Sequence, residues 1–168
     1  HEHLMNVGSG YIVCEVLNNQ VVIAGKHGLF TYDGQTCQPL TIAAPPPPFA
    51  ATAIADHTKT RGIAISWLRG SLESSLSGYM SIGESGEIAL PMVTDPNVTG
   101  VNIYATSVGG TDMQLAGKAS RYDASFAITA DHKLGMVAQF AHLSPMPTGK
   151  YLCYWRGRLI TATANVIR

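Results

Sequence analysis

Residues 61–118 contain five short segments with the two-residue periodicity of β-strands, and this pattern constrains the fold more than any other feature of the chain. Near the start, Ile63, Ile65 and Trp67 alternate with small or polar residues. Gly, Ser, Pro, Asp and Asn separate the segments at intervals of about eight to twelve residues, and these residue types favour turns. Short alternating strands at this spacing are typical of a β-sandwich. The sequence therefore predicts an all-β chain with a central sandwich.

A later strand of this module shows both of its faces in the sequence. Val101 and Ile103 fall on one side, and Asn102 and Tyr104 fall on the other. Because successive side chains of a strand point to opposite faces of the sheet, the aliphatic pair is expected in the core. The segment that ends near Ile82 is expected to contribute another strand of the same sandwich.

The segments on both sides of the module are predicted to be β meanders. Residues 11–42 contain about four strand-like runs separated by turn sequences, which is the size of one propeller blade. Near the other end, RGRLITATANVIR repeats the turn, aliphatic pair, alanine and second turn of NNQVVIAGKHGLF. Two unrelated hairpins are the alternative. The predicted segments are residues 1–44 (N-terminal β meander), 45–60 (proline-rich linker and entry strand), 61–120 (sandwich), 121–148 (connecting region) and 149–168 (C-terminal hairpin resembling the N-terminal meander).

Four consecutive prolines stand between the first meander and the sandwich, within residues 43–51. Proline fixes its backbone and lacks an N–H donor, so this stretch is expected to be an extended polyproline II segment rather than a helix. A stiff spacer between two parts of the chain is the simpler interpretation. Docking into an aromatic groove of a partner is the alternative.

The charge balance argues against two classes of partner. Only 13% of the residues are charged, about half the usual share, and 46% are apolar. The formal net charge is zero, so no nucleic-acid binding is expected. No apolar run reaches the roughly 18–20 residues that cross a bilayer, so no membrane insertion is expected. No signal peptide is evident, and a chain that begins at His1 is expected to be processed or cut from a longer protein.

Three cysteines, Cys14, Cys37 and Cys153, are odd in number and lack CxxC spacing. Cys14 and Cys153 lie in apolar strand-like runs, where a free cysteine usually behaves as a small buried hydrophobic residue. We therefore expect buried, inert thiols and a reducing compartment.

No set of residues carries a catalytic signature. Two Asp-His pairs, at positions 56–57 and 131–132, suggest a triad with Ser66 or Ser85. Neighbours in a turn do not orient an imidazole against a nucleophile, however. The sequence GESGE around Ser85 also lacks the frame of a nucleophile elbow. We expect no enzyme activity and no catalytic residues.

Weaker patterns of metal, glycosidase and sugar sites have ordinary explanations. His1-Glu2-His3 resembles a chelate, but a tag remnant or cut site is simpler at a terminus. Residues 94–97 hold only a fragment of a calcium-loop pattern, so neither a metal nor a cofactor is predicted. Turns and strand ends carry the carboxylates that a glycosidase would need as a pair, namely Glu73, Glu84, Glu87, Asp95 and Asp112. Four aromatic residues suggest sugar stacking, although we expect three of them in the core: Trp67, Tyr79, Tyr104 and Trp155.

Several of these segments recur together in one known family. They are the opening strand at residues 62–67, the G-x-x-E-S element at 70–74, the Leu-Pro break at 90–91 and the strand GVNIYAT at 100–106. With the closing hairpin GKYLCYWRGRLITATANVI, they resemble bacteriophage and prophage tail-associated virion proteins. In that family a fibronectin type III-like domain is flanked by β-propeller-like meanders. Ala105 stands where such modules often carry Arg, so that polar contact is absent.

The resemblance implies a structural virion protein of a bacteriophage, a tail or neck component assembled in the host cytoplasm. Its partners are then other virion proteins and copies of itself. Because exposed strand edges need covering, we expect four residues to be buried against other subunits of a symmetric ring or tube. These interface candidates are Val21, Ile23, Leu159 and Thr161.

Two alternative functions belong to other classes. The first is a carbohydrate- or receptor-binding module that contacts a host surface glycan through loops of the sandwich. The second is an accessory domain of a bacterial hydrolase. The loop contact candidates are Asp95, Asn97, Val108 and Asp112.

Overall fold

The computed structural model of the chain describes residue 6 and residues 10–54, 56–138, 149–163 and 166–167. Every helix or strand assigned in those residues is a β-strand, so the prediction of an all-β fold is confirmed. The chain forms two units, His1–Thr41 with Pro145–Arg168 and Ile42–Ser144. The strands are β1 (Val13–Leu17), β2 (Gln20–Gly25), β3 (Gly28–Tyr32), β4 (Cys37–Pro39), β5 (Phe49–Ala50), β6 (Thr60–Arg69), β7 (Leu72–Glu73), β8 (Met80–Gly83), β9 (Gly86–Ala89), β10 (Gly100–Ala105), β11 (Gln114–Ser120), β12 (Ser125–Ile128), β13 (Tyr151–Trp155), β14 (Arg158–Thr163) and β15 (Val166–Ile167).

The first unit contains two antiparallel meanders, β1-β2-β3-β4 and β13-β14-β15. Their first hairpins have the same kind of turn. Asn18 and Asn19 have φ of 51° and 61°, and Arg156 and Gly157 have φ of 47° and 80°. Two central residues with positive φ match the right-handed twist of the flanking strands, and Asn and Gly tolerate that conformation. The sequence echo between the two ends therefore corresponds to two hairpins closed in the same way.

The second unit is a β-sandwich. One sheet has the order β11-β10-β6-β7, and β8 also pairs with β6, while the other has the order β12-β9-β5. Two strands of the unit lie outside residues 61–120. β5 lies in the segment predicted to hold a proline-rich linker and an entry strand, and β12 lies in the segment predicted as a connecting region. Both strands pair with β9, so the second sheet takes its two outer strands from outside the predicted module.

The core between the two sheets follows the alternation in the sequence. Ile63, Ile65 and Trp67 of β6 and Val101 and Ile103 of β10 all face inward, as predicted. Full burial of one such aliphatic side chain contributes about 1.5–3 kcal/mol, so this cluster is the main stabilising element of the unit. Its members are Ile42, Ile63, Ile65, Trp67, Ile82, Ile88, Leu90, Val98, Val101, Ile103, Ala105 and Ile128.

The loops of the sandwich gather at two opposite ends, which are named here after the first and last residues of β6. At the Arg69 end, the residue 90–99 loop enters β10, and Thr99 N–H donates to Leu68 C=O at 2.7 Å. At the Thr60 end, the β10–β11 loop returns, and Gly109 N–H donates to Thr60 C=O at 2.8 Å. The β8–β9 turn also lies at the Thr60 end, because Gly83 pairs with Thr60.

Candidate functional site

The predicted loop contact residues lie at opposite ends of the sandwich. Asp95 and Asn97 belong to the loop at the Arg69 end, whereas Val108 and Asp112 belong to the loop at the Thr60 end. The six residues of β10 separate the two loops, which corresponds to roughly 17 Å at the rise of a strand. The loops therefore do not form one small binding site, and a compact ligand contacts one pair or the other.

The loop at the Arg69 end is held by side-chain hydrogen bonds to the backbone. The carboxylate of Asp95 accepts the N–H of Asn97 at 2.8 Å, an Asx-turn. The guanidinium of Arg121 donates to the carbonyls of Pro96 and Val98, at 2.6 and 2.9 Å. Asp95 thus has a local structural role, and Asn97 is exposed.

An apolar pocket of about 390 Å³ opens beside this loop. Trp67 forms part of its wall, and Asp95 contributes the one carboxylate of its lining. Met92 lines this pocket and a neighbouring one, and Met92 and Tyr122 are almost fully exposed. The lining residues are Ile42, Ala43, Ala44, Pro46, Trp67, Met92, Val93, Thr94, Asp95 and Val98.

The four interface candidates lie on central strands of their sheets. Val21 and Ile23 are on β2, which pairs with β1 and β3. Leu159 and Thr161 are on β14, which pairs with β13 and β15. Thr161 is buried, and the other three are half-buried. Val21 and Ile23 are paired with a strand on both sides. Among the described residues, β15 pairs with Ala162 and Thr163 of β14, and not with Leu159 or Thr161.

Large apolar side chains of the first unit are exposed on β13, in addition to Tyr11, Ile12 and Val16 near the start of the chain. Tyr151, Tyr154 and Trp155 are 64%, 47% and 55% exposed. The guanidinium of Arg156 lies over the Trp155 ring, 4.8 Å from its centroid, in a cation–π arrangement. β13 is an outer strand of its three-stranded sheet among the described residues. Residues 150–158, called the aromatic hairpin below, are therefore cationic and aromatic, with Tyr151 and Trp155 on one face of β13 and Tyr154 on the other.

The prediction that three of the four candidate aromatic residues are in the core is wrong, because two are buried. Trp67 and Tyr104 are nearly inaccessible, whereas Tyr79 is 70% exposed and Trp155 is exposed as above. Tyr79 stands next to Gly78 at the start of an outer strand, and Trp155 stands at the tip of a hairpin. Neither position is covered by a second sheet, so aromatic character alone did not predict burial.

The prediction of buried thiols is also wrong. Cys14 and Cys153 are exposed, and Cys37 is half-buried. Burial raises the pKa of the Cys37 thiol above its usual value. Cys14 points to the same side of β1 as the exposed Val16, opposite the half-buried Val13. An apolar run in a two-sided strand thus placed one cysteine on the solvent face.

A shallow groove of about 450 Å³ lies at the Thr60 end. Hydroxyl groups and glycines dominate its lining, and the exposed ring of Tyr79 forms one side. None of its lining residues is charged. These residues are Thr60, Gly62, Tyr79, Ser81, Thr106, Gly109, Gly110, Thr111 and Met113.

A polar cluster on the outer face of the larger sheet was not anticipated as a unit. One carboxylate oxygen of Glu73 accepts hydrogen bonds from Asn102 Nδ2 at 2.8 Å, from the Tyr104 hydroxyl at 2.6 Å and from the Ser66 hydroxyl. Ser66, Asn102 and Tyr104 are buried, and Glu73 is half-buried. Desolvation, together with the hydrogen bond to Glu73 and its charge, raises the pKa of Tyr104 to about 12. The phenol therefore stays protonated and donates.

The segment after Glu73 is bound to β6 through serine side chains. The Ser74 hydroxyl accepts the N–H of Trp67 at 2.9 Å, and the Ser77 hydroxyl accepts the N–H of Ile65 at 3.0 Å. These hydroxyls satisfy donors on the edge of β6 that faces away from β10, between the part that pairs with β8 and the part that pairs with β7. The G-x-x-E-S element thus acts as a structural clamp on β6. Its Glu73 is not paired with a second carboxylate.

The two Asp-His pairs do not form triads with Ser66. Ser66 donates its hydrogen bond to Glu73 rather than to a histidine. His132 Nε2 lies 2.8 Å from the Ala116 carbonyl, and its ring packs against Phe126. The Asp56 carboxylate accepts hydrogen bonds from Thr58, which lower the pKa of Asp56 and stabilise the turn in which it lies.

In the part of the chain that the structure describes, no three His, Cys, Asp or Glu residues are grouped to hold a metal ion. The candidate chelate at residues 1–3 lies outside the described residues. No helix among the described residues is both long and apolar enough to span a membrane. Comparison with protein-family models, with curated proteins and with solved structures gives no match for this chain.

Proposed function

We propose that this protein is a structural component of a bacteriophage virion, in the tail or neck, and acts through protein–protein contacts. The observation that carries the proposal is the exposure of three large aromatic side chains on the aromatic hairpin. Within this proposal the sandwich is a fibronectin type III-like domain, and the two meanders are the parts that join it to neighbouring subunits.

The chemistry of the aromatic hairpin favours a protein partner. Trp, Tyr and Arg are the residue types that most often dominate the binding energy of protein interfaces. Four such side chains are exposed within six residues of this chain, namely Tyr151, Tyr154, Trp155 and Arg156.

The virion context rests on the resemblance of the segments and on the order of the chain, in which one meander precedes the sandwich and another follows it. A structural role is tested by the location of the chain in particles rather than by an activity. Its partners are copies of the chain and other virion proteins, and it requires no cofactor.

Fractionation of virus particles tests this proposal. An antibody against the purified chain is used on particles banded in a density gradient from cells that express the protein. We expect the chain to co-sediment with intact particles and to be labelled by gold at the tail or neck in electron micrographs. Recovery of the chain only in the soluble fraction would contradict the proposal.

Carbohydrate binding is a second candidate function, and the groove at the Thr60 end is the specific observation in its favour. An exposed aromatic ring beside hydroxyl groups matches the stacking face and the hydrogen-bonding rim of a neutral sugar. A glycan array with the full chain tests it, with Tyr79→Ala as the variant and Tyr122→Ala as a matched control. Binding that is lost in the first variant and kept in the second supports a sugar site in the groove, and an array without any hit removes this candidate.

A further inference from the structure

The charges of this chain are divided unequally along its length. Residues 132–168 contain five Lys or Arg and no Asp or Glu, whereas residues 1–131 contain six Lys or Arg and eleven Asp or Glu. The zero net charge is therefore the sum of a cationic C-terminal part and an acidic remainder. Lys150, Arg156 and Arg158 of the cationic part belong to the aromatic hairpin.

Two arginines of the sandwich are buried, so its surface has a larger excess of negative charge than its amino-acid composition shows. Residues 42–144 contain eight Asp or Glu and six Lys or Arg. Arg61 and Arg69 lie at the two ends of the core-facing row of β6 and are only 4% and 8% exposed. The guanidinium of Arg61 donates to the Ala130 carbonyl at 3.1 Å. These two cations contribute little to the surface that a partner meets.

Much of the acidic surface lies at the Thr60 end. Lys59 is 3.9 Å from Glu84, an exposed pair that neutralises one of these charges only weakly. Hydrogen bonds, chiefly those from Thr58 and Thr129, lower the pKa values of Asp56 and Asp131, so both remain ionised in mildly acidic solution. Four carboxylates come from the loops that meet at this end: Asp56, Glu84, Asp112 and Asp131.

We propose that the aromatic hairpin of one copy docks on the Thr60 end of the sandwich of a second copy. The proposal rests on the proposed function and names the partner of the same surface. Opposite charges face each other in this arrangement, with Arg156 and Arg158 against Glu84 and Asp112. The uncharged groove beside them, with the exposed Tyr79 ring, takes the aromatic side chains of the hairpin.

A contact between two different surfaces of the same chain has a consequence for assembly. After docking, one copy keeps a free acidic end and the other keeps a free hairpin, so further copies add head to tail. Such heterologous contacts close into rings or continue as open filaments. Complementary charges direct the encounter and set its register, while the buried aromatic groups supply most of the affinity.

Sedimentation velocity of the full chain tests the proposal by charge exchange. At low ionic strength we expect the average mass of the wild-type chain to rise with concentration, and roughly 0.5 M NaCl should weaken the association because salt screens exposed charges. Arg156→Glu with Arg158→Glu should weaken self-association at least tenfold, and Glu84→Lys with Asp112→Lys should do the same, both by placing like charges opposite each other. Mixing the two double variants should restore association, because opposite charges then face each other again.

A matched control separates the local contact from net charge. Lys26→Glu with Lys118→Glu reverses two exposed lysines outside both surfaces and changes the net charge as much as the hairpin variant does. It should associate like the wild type, and far-ultraviolet circular dichroism of every variant checks that the strands are retained. A monomeric wild-type chain, equal loss in the control, or a mixture that does not associate would overturn the inference. The particle fractionation above is independent of these outcomes, so a monomer found on virions contradicts the inference and leaves the virion proposal standing.

Discussion

Removal of the half-buried Glu73 side chain should destabilise the sandwich more than removal of any other side chain that is equally exposed. Glu73 accepts hydrogen bonds from three buried donors, the side chains of Ser66, Asn102 and Tyr104. Glu73→Ala leaves all three donors without their acceptor and releases β7 from β10. A buried donor without a partner costs about 1–3 kcal/mol.

The expected loss is smaller than three full penalties. Glu73 is half-buried, so water enters the space that the carboxylate leaves and satisfies part of the cluster. We therefore expect the free energy of unfolding to fall by about 3–4 kcal/mol, a large fraction of the 5–15 kcal/mol typical of a domain. For a unit of this size the melting temperature should fall by more than about 10 °C.

Tryptophan fluorescence during urea unfolding measures this change in the sandwich alone. Trp67 is buried in the sandwich core and Trp155 is exposed in the other unit, so a Trp155→Phe background leaves one reporter. Glu87→Ala is the matched control, because the Glu87 side chain is exposed and accepts a hydrogen bond from the exposed Ser125. The control should change stability by less than about 1 kcal/mol. If Glu73→Ala and Glu87→Ala lose the same free energy, the clamp does not stabilise β6 and β10 as argued.

Three further predictions concern pH, packing and thiols. The pKa of Tyr104 is about 12 in the folded chain and 10.0 when unperturbed. Because the unfolded chain loses this proton first, unfolding becomes more favourable as pH rises from 10 to 12. Urea denaturation at each pH should show that the free energy of unfolding falls by about 2 kcal/mol over this range, and Tyr104→Phe should not show this fall. An added Cβ at Gly117 would lie 2.6 Å from a ring carbon of Phe126, so Gly117→Ala should cost about 1–3 kcal/mol in the same assay, and an unchanged midpoint would contradict that contact. Cys14 and Cys153 are exposed, so an aromatic disulfide reagent should label two thiols rapidly in the native chain and a third slowly; slow reaction of all three would contradict their exposure.

The local parts of the fold were predictable because their causes are local. Alternation in β6 and β10 assigned Ile63, Ile65, Val101 and Ile103 to the core, since a strand has a fixed two-residue period. Turn residues such as Asn18 marked the hairpins because asparagine tolerates the positive φ that tight hairpin turns require. The second sheet was only partly predictable, because β5 and β12 are short and gain their stability from pairing with β9 rather than from a pattern of their own.

The strand periodicity, the turns and the division of charge follow from the order of the residues alone, and the periodicity and turns set the all-β class of this protein. The tertiary structure brings particular residues together. It separated the Asp95 and Asp112 loops by the length of β10, joined Glu73 to Asn102 and Tyr104, and buried Arg61 at one end of the core. Contacts between residues far apart in the chain depend on which strands pair and on which face of a sheet is covered. The two-residue alternation of a strand predicts neither. For that reason the surfaces proposed to act, a cationic hairpin and an acidic loop end, emerge only when the strands are in place.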